Sequence, residues 1–311
     1  MDVNVLPQVK SYLVSMTGLI YVLAIILAMA IITINLLVCV TIYLHKELRC
    51  ITNYLIVSLA VADLGVGALA IPFSMVLSME YTLYFYTCLF LTCFPLVTTQ
   101  FSILLLLVIA IHTHLKIKLP NRQVIYPLHV KKCWVIFIVA FCWLLSLLIG
   151  LSPVMGWNRF HYSRKFLVYF IFLICTLLPL AAMLGIYGDI FRVVRDHFRS
   201  QPLWPAKKKE MQMACTLLLL VGVFFICWMP LHMIYCIQLL CPSCEQYEFL
   251  ERLAVLLSHL NSLANPLVYA LRKKNLGLAL RSVWLGANHA LPAQTSSQGC
   301  CCGENRRRKE Y

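Results

Sequence analysis

Leu256-Leu257-Ser258-His259-Leu260-Asn261-Ser262-Leu263-Ala264-Asn265-Pro266-Leu267-Val268-Tyr269 lies in the last long apolar segment and carries more polar groups than a lipid-facing helix can hold. Its Asn, Ser, His, Pro and Tyr residues must find partners inside the protein, because hydrocarbon offers none. Pro266 frees a backbone carbonyl one turn back, which small polar side chains can re-satisfy. The stretch therefore predicts an inward-facing, locally irregular membrane helix. It is either a moving part or a helix held in its bundle by polar contacts alone.

Outward from this stretch the chain is of the same kind. Its 311 residues are 61% hydrophobic and 12% charged, with a mean hydropathy of +0.83. That balance excludes an ordinary soluble domain and predicts an all-α multi-pass membrane protein. Seven apolar stretches, at 12–44, 53–79, 84–115, 133–156, 166–191, 211–240 and 250–271, are each long enough to cross a bilayer. Met1 to Lys10 lacks a basic n-region and a small-residue cleavage site, so the first span is expected to act as its own insertion signal.

The net charge of +14 is a topology signal, not a nucleic-acid footprint. Of the 26 Lys and Arg residues, only Lys10, Arg159, Arg164, Lys165 and Arg252 fall on one side of the spans. The positive-inside rule then puts the N-terminal residues 1–11 outside and the C-terminus in the cytoplasm. Seven crossings agree with that parity.

Within the spans a few residues stand out. Asn35 is the strongly polar core residue of the first span, and Asp63 is a rare acid inside the second. A carboxylate at that depth costs several kcal/mol unless paired, hydrated or protonated. Asn35, Asp63, Asn261 and Asn265 can form one buried polar cluster, either a plain hydrogen-bond network or a switch holding a cation such as Na+ at Asp63. In the third span, Pro95, Thr98, Thr99, Gln100 and Ser102 give the outer half a polar face. Its inner end reads His112-Thr113-His114. The fifth span holds Pro179 and Tyr187, and Cys227-Trp228-Met229-Pro230-Leu231-His232 makes a proline-kinked aromatic turn in the sixth.

Cys241-Pro242-Ser243-Cys244 follows, with Glu245, Glu248 and Glu251. With no second Cys pair to complete a zinc site, an extracellular two-cysteine clip is the reading for Cys241 and Cys244. No Gly-rich phosphate loop, nucleophile–base pair or internal repeat is present, so an enzyme or a secondary transporter is disfavoured. Residues 272–285 interleave apolar positions 276, 280, 283 and 284 with basic ones, which predicts an amphipathic helix on the inner leaflet. The tail, 286–311, reads as disordered. Cys300, Cys301 and Cys302 are palmitoylation candidates, and Arg306-Arg307-Arg308-Lys309 suits anionic membrane lipids, unless the tail is simply unstructured.

Asn35, Leu59-Ala60-Val61-Ala62-Asp63, Trp143, Pro179, Cys227-Trp228-Met229-Pro230 and Asn265-Pro266-Leu267-Val268-Tyr269 together resemble the landmark set of rhodopsin-like (class A) G-protein-coupled receptors. The resemblance covers roughly residues 12–285, and it is most similar to the adenosine receptors. Phe85-Tyr86-Thr87-Cys88-Leu89-Phe90, Val154-Met155-Gly156-Trp157-Asn158, Cys227 to His232, Cys241 to Cys244 and Leu257-Ser258-His259 carry that closer likeness. It implies a plasma-membrane seven-helix receptor for adenosine or a related purine nucleoside, with a heterotrimeric G protein as partner. Thr99, Ser258 and His259 would meet the ribose, with His232 nearby, Trp228 as the floor, and Leu96, Gln100 and Leu231 along the wall. Tyr187 and Tyr269 would help hold the open state.

Several positions depart from the family. His112-Thr113-His114 stands where it has Asp-Arg-Tyr, so the Arg that pairs with an acid at the foot of the sixth span, here Glu210, is missing. Ala24 replaces an acid. The outer loop 158–165 has no cysteine to bridge Cys88, and Cys175 lies too deep to substitute easily. Tyr235 occupies the place of the Asn that hydrogen-bonds adenine, and a Tyr cannot copy a bidentate amide. The expectation is a nucleoside receptor with ribose recognition kept, adenine recognition eroded and G-protein coupling weakened or unusual. The alternative is a non-signalling partner or decoy that modulates intact receptors, as through a receptor dimer.

Overall fold

The computed structural model describes residues 5–49, 51–79, 84–118, 128–152, 165–200, 205–241, 248–272 and 274–285. The helices are α1 (Val5–Leu44), α2 (Ile51–Gly65), α3 (Ile71–Ser78), α4 (Phe85–Lys118), α5 (Leu128–Leu151), α6 (Leu178–Ser200), α7 (Pro205–Leu240), α8 (Glu248–Arg272) and α9 (Lys274–Trp284). A π-helical turn, Val66–Ala70, joins α2 to α3, and a π-helical stretch, Phe166–Leu177, leads into α6. Among the described residues, seven spans are long and apolar enough to cross a membrane: Thr17–Leu44, Ile51–Ser78, Thr87–Leu115, Cys133–Leu151, Phe166–Val193, Leu218–Leu240 and Glu248–Leu271. The molecule is a seven-helix membrane bundle, because in hydrocarbon the helix is the one open-ended structure that satisfies its own backbone.

Both π-helical segments run up to a proline, Pro72 in the first turn of α3 and Pro179 at the start of α6. Proline has no N–H and its ring presses on the carbonyl one turn back, and widening the register relieves that pressure. Pro95, Pro230 and Pro266 sit inside α4, α7 and α8. In α4 the hydroxyls of Thr98 and Thr99 donate to the Pro95 carbonyl at 3.0 and 2.7 Å. That of Ser102 donates to Thr98 O at 3.0 Å. Such back-bonding keeps hydroxyls satisfied in an apolar setting and bends the helix.

Position in the bundle follows composition. The third span is 56% buried along its apolar window and the fourth only 17%, so α4 lies central and α5 peripheral. Trp134, Ile136, Phe137, Phe141 and Leu144 of α5 are exposed, as a lipid-facing surface requires. The main core gathers around Phe101, Leu105, Ile109, Tyr187, Phe224 and Tyr269, with a smaller cluster of Ala24, Leu27, Ile31, Val66 and Ile71. Trp143 stacks on Phe101 across α5 and α4, ring centres 4.1 Å apart. Beside it the backbones close up at Gly150, where a Cβ would lie 2.8 Å from Val97 N and 2.9 Å from its Cα.

The helices outrun the apolar stretches. The segment 192–210, between the fifth and sixth apolar stretches, is helical at both ends, with α6 reaching Ser200 and α7 starting at Pro205. Apolarity marks where lipid ends, whereas the backbone stays helical as long as its residues permit. Pro205 suits the first helical position, where no N–H is needed. In α9, Leu276, Ala279 and Leu280 are buried and Trp284 is 65% exposed, so Trp284 faces away from the bundle. The loop 158–164, Cys244, Glu245 and the tail 286–311 with Cys300, Cys301 and Cys302 lie outside the described residues.

Candidate functional site

Polar side chains of α4 and α8 converge above an aromatic floor from α7. Pro95, Thr98, Thr99 and Ser102 of α4, Trp228 of α7, and Ser258, His259, Asn261 and Ser262 of α8 line a single cavity, with Val66 at its side. The space within it is narrow, about 10 Å³ for the centre of a water-sized sphere. Thr99 and Ser258 each spend their hydroxyl hydrogen inside their own helix, on Pro95 O at 2.7 Å and Val255 O at 2.7 Å. Their lone pairs remain, so towards a ligand both act as acceptors. His259 Nε2 and Trp228 Nε1 are buried with no protein hydrogen-bond partner among the described residues. Acceptors beside such ring nitrogens suit a ligand that carries several hydroxyls.

Of the residues expected at this site, Thr99, Trp228, Ser258 and His259 meet in the cavity. His232 is drawn into an aromatic stack instead, 4.5 Å from the Phe172 ring and 5.9 Å from that of Trp228. Leu231 and Gln100 are buried but do not line the cavity, and Gln100 Nε2 has no described partner. Leu96 and Tyr235 are half-buried and also stand off the lining. Thr98 and Ser102 belong to it, as the polar face of the third span signalled. Phe172 had no signal beyond being one of many aromatics in the fifth span.

Below lies a second, closely packed cavity, lined by Asn35, Asp63, Asn265 and Tyr269 together with apolar side chains. Asn265 Nδ2 donates to Asp63 Oδ2 at 3.0 Å, tying α8 to α2. Asn35 Nδ2 donates to Ile31 O at 3.0 Å and to Ser262 O at 3.1 Å, tying α1 to the backbone of α8 where Pro266 has loosened it. Asn261 lines the upper cavity rather than this one, so the pair Asn261 and Asn265 spans both. Oxygens accumulate without donors here: Asn35 Oδ1, Asp63 Oδ1 and Asn265 Oδ1 are buried and unpartnered among the described residues. Beside the Asp63 carboxylate, such a set suits a small hard cation better than an anion.

At the inner end, Thr113 is buried and its hydroxyl donates to Ile109 O at 2.8 Å. His114 Nε2 lies 2.7 Å from Asp189 Oδ2 of α6, and Lys118 Nζ lies 2.5 Å from the same oxygen. This three-residue contact ties α4 to α6, and sequence reading missed it. Its only signal was one acid, Asp189, near the inner end of the fifth span. His112 is half-buried on the same turn and Tyr187 is buried in the core nearby in sequence. Glu210 falls within α7, with its side chain outside those described.

Cys88 is exposed and Cys175 half-buried, and both are free thiols. Cys241 is disulfide-bonded. The described residues contain no group of three or more His, Cys, Asp or Glu side chains placed to hold a metal ion.

Comparison with known proteins gives a match over residues 34–269 to the family described as 7 transmembrane receptor (rhodopsin family). The chain is similar to adenosine receptor A2a of Homo sapiens, 38% identical over 293 residues that cover 83% of this chain and 70% of that protein. It is likewise similar to adenosine receptor A2b of Gallus gallus, 38% identical over 287 residues that cover 81% of this chain and 84% of that one.

Proposed function

Because the chain belongs to the rhodopsin family of seven-transmembrane receptors and, within it, to the adenosine receptors, we propose that it senses a purine nucleoside through the cavity above Trp228. The reading is carried by one observation, the meeting of Thr99, Ser258 and His259 around that cavity. Ribose presents neighbouring hydroxyls, each a donor and an acceptor. The free lone pairs of Thr99 and Ser258 accept from them, and the His259 ring nitrogen completes the set. Desolvated hydrogen bonds of this kind discriminate well, because a ligand without the hydroxyls leaves buried polar atoms unpaired. Ligand pressing on Trp228 biases the bundle between two arrangements, the usual logic of a population shift.

Two further parts belong to this reading. The Asp63 cavity holds a sodium ion in the resting arrangement, supported by the surplus of oxygen acceptors around it. Coupling to a heterotrimeric G protein is weak, supported by a buried Thr113 whose hydroxyl is already spent within its own helix. The receptor sits in the plasma membrane with its N-terminus outside. Saturable binding of tritiated purine nucleosides to membranes from expressing cells tests the ribose site, with His259→Ala as control. Loss of binding in the variant is expected. Equal binding in both, at equal surface level, would remove His259 and the ribose assignment with it.

A further inference from the structure

At the outer ends of α7 and α8 the amide Nε2 of Gln238 donates to Glu251 Oε2 at 3.0 Å. Each residue lies seven positions outward from a buried one, Gln238 from Leu231 and Glu251 from Ser258 of the cavity lining. Seven residues make almost two full turns and about 10 Å of rise, so each pair shares a helix face. Gln238 and Glu251 are both half-buried. The neighbouring charges are otherwise engaged: Arg252 pairs with Glu248 at 3.4 Å, and the Glu248 side chain is 79% exposed. Among the described outer residues, Glu251 is the half-buried carboxylate, two turns above Ser258 of α8.

We propose that Glu251, positioned by Gln238, reads the base of the bound nucleoside, and that this base is a 6-oxopurine of the guanine type. The inference rests on the ribose site proposed above, which sets where the base begins. With the sugar at Ser258, the base extends outward along the faces that carry Tyr235, Gln238 and Glu251. An ionised carboxylate only accepts hydrogen bonds. Guanine presents N1–H and N2–H side by side, which two carboxylate oxygens take as a parallel, charge-assisted pair. Adenine puts a lone pair at N1, facing a carboxylate with like charge density. The guanine O6 in turn needs a donor, and the Gln238 amide and the Tyr235 hydroxyl, one turn further in, are of that kind. A carboxylate has about four acceptor sites, so Glu251 can keep its Gln238 contact while it holds the base.

The test is equilibrium binding of tritiated guanosine and tritiated adenosine to membranes from cells expressing the full chain, with inosine as competitor. Guanosine is expected to bind about tenfold or more tighter than adenosine, and inosine, which keeps N1–H and O6 but lacks N2, to fall between them. Glu251→Gln should cost guanosine about tenfold or more and change adenosine little. Surface labelling, and adenosine binding that stays lost only in His259→Ala, show that the Glu251→Gln protein is folded. Adenosine preferred over guanosine, or guanosine binding indifferent to Glu251→Gln, overturns the proposal and leaves the ribose site standing. Neither nucleoside binding to wild-type protein at the surface defeats the ribose site itself, and this proposal with it.

Discussion

Asp63 and Thr113 show how much one position can decide. Asp63 is fully buried, and the Asn265 amide at 3.0 Å is a neutral partner that leaves its charge uncompensated. If a sodium ion supplies the compensation, millimolar NaCl should raise the unfolding temperature of the purified protein over an equal concentration of choline chloride. Asp63→Asn should abolish that increment while the protein stays folded, and a sodium effect that survives the substitution would place the ion elsewhere. Thr113 is the opposite case, a short buried side chain where the matching triplet of the family it resembles has a long cation. Thr113→Arg should increase nucleotide exchange on added G protein, and unchanged exchange at equal receptor level would count against weakened coupling. Both positions were readable in the sequence, as an acid in an apolar run and as a gap in a familiar triplet. Asp189 was not, because one acid near a span end looks like ordinary interfacial charge until His114 and Lys118 are seen around the same oxygen.

At the scale of elements the sequence told more about which helices exist than about how they touch. Composition located all seven spans, since the free energy of placing some twenty apolar residues in lipid outweighs any local preference. It could not show that α5 meets α4 through Gly150 and Val97, because a single glycine in an apolar run looks the same on either face. Gly150→Ala should therefore destabilise the bundle by about 1–3 kcal/mol, since the new Cβ meets backbone rather than a yielding side chain. A lowered unfolding midpoint, with the Phe101–Trp143 stack perturbed in near-ultraviolet circular dichroism, is the expected result. Gly222→Ala, where a Cβ would have nothing within 4 Å, is the matched control and should change little. The aromatic stack of Phe172, His232 and Trp228 was hidden for a similar reason: which aromatics meet depends on how α7 and the π-helical stretch before α6 rotate.

For the whole molecule, charge segregation argues for an outside N-terminus and an inside C-terminus. An epitope tag before Met1 should be labelled on intact cells, whereas one after Tyr311 should need permeabilisation; the reverse pattern would refute the assigned orientation. The two stacked cavities have a further consequence. Through the middle of the bundle run buried oxygens and ring nitrogens that are without partners among the described residues, from His259 and Trp228 to Asn261, Asn265 and Asn35. Such a column is energetic frustration kept in place: this packing of the seven helices leaves it unsatisfied, which favours alternative packings close in free energy. Filling it with apolar side chains of matching shape would give a protein that melts later and purifies more readily. The same change would deepen one basin at the expense of the others, and a sensor confined to one basin has nothing left to report.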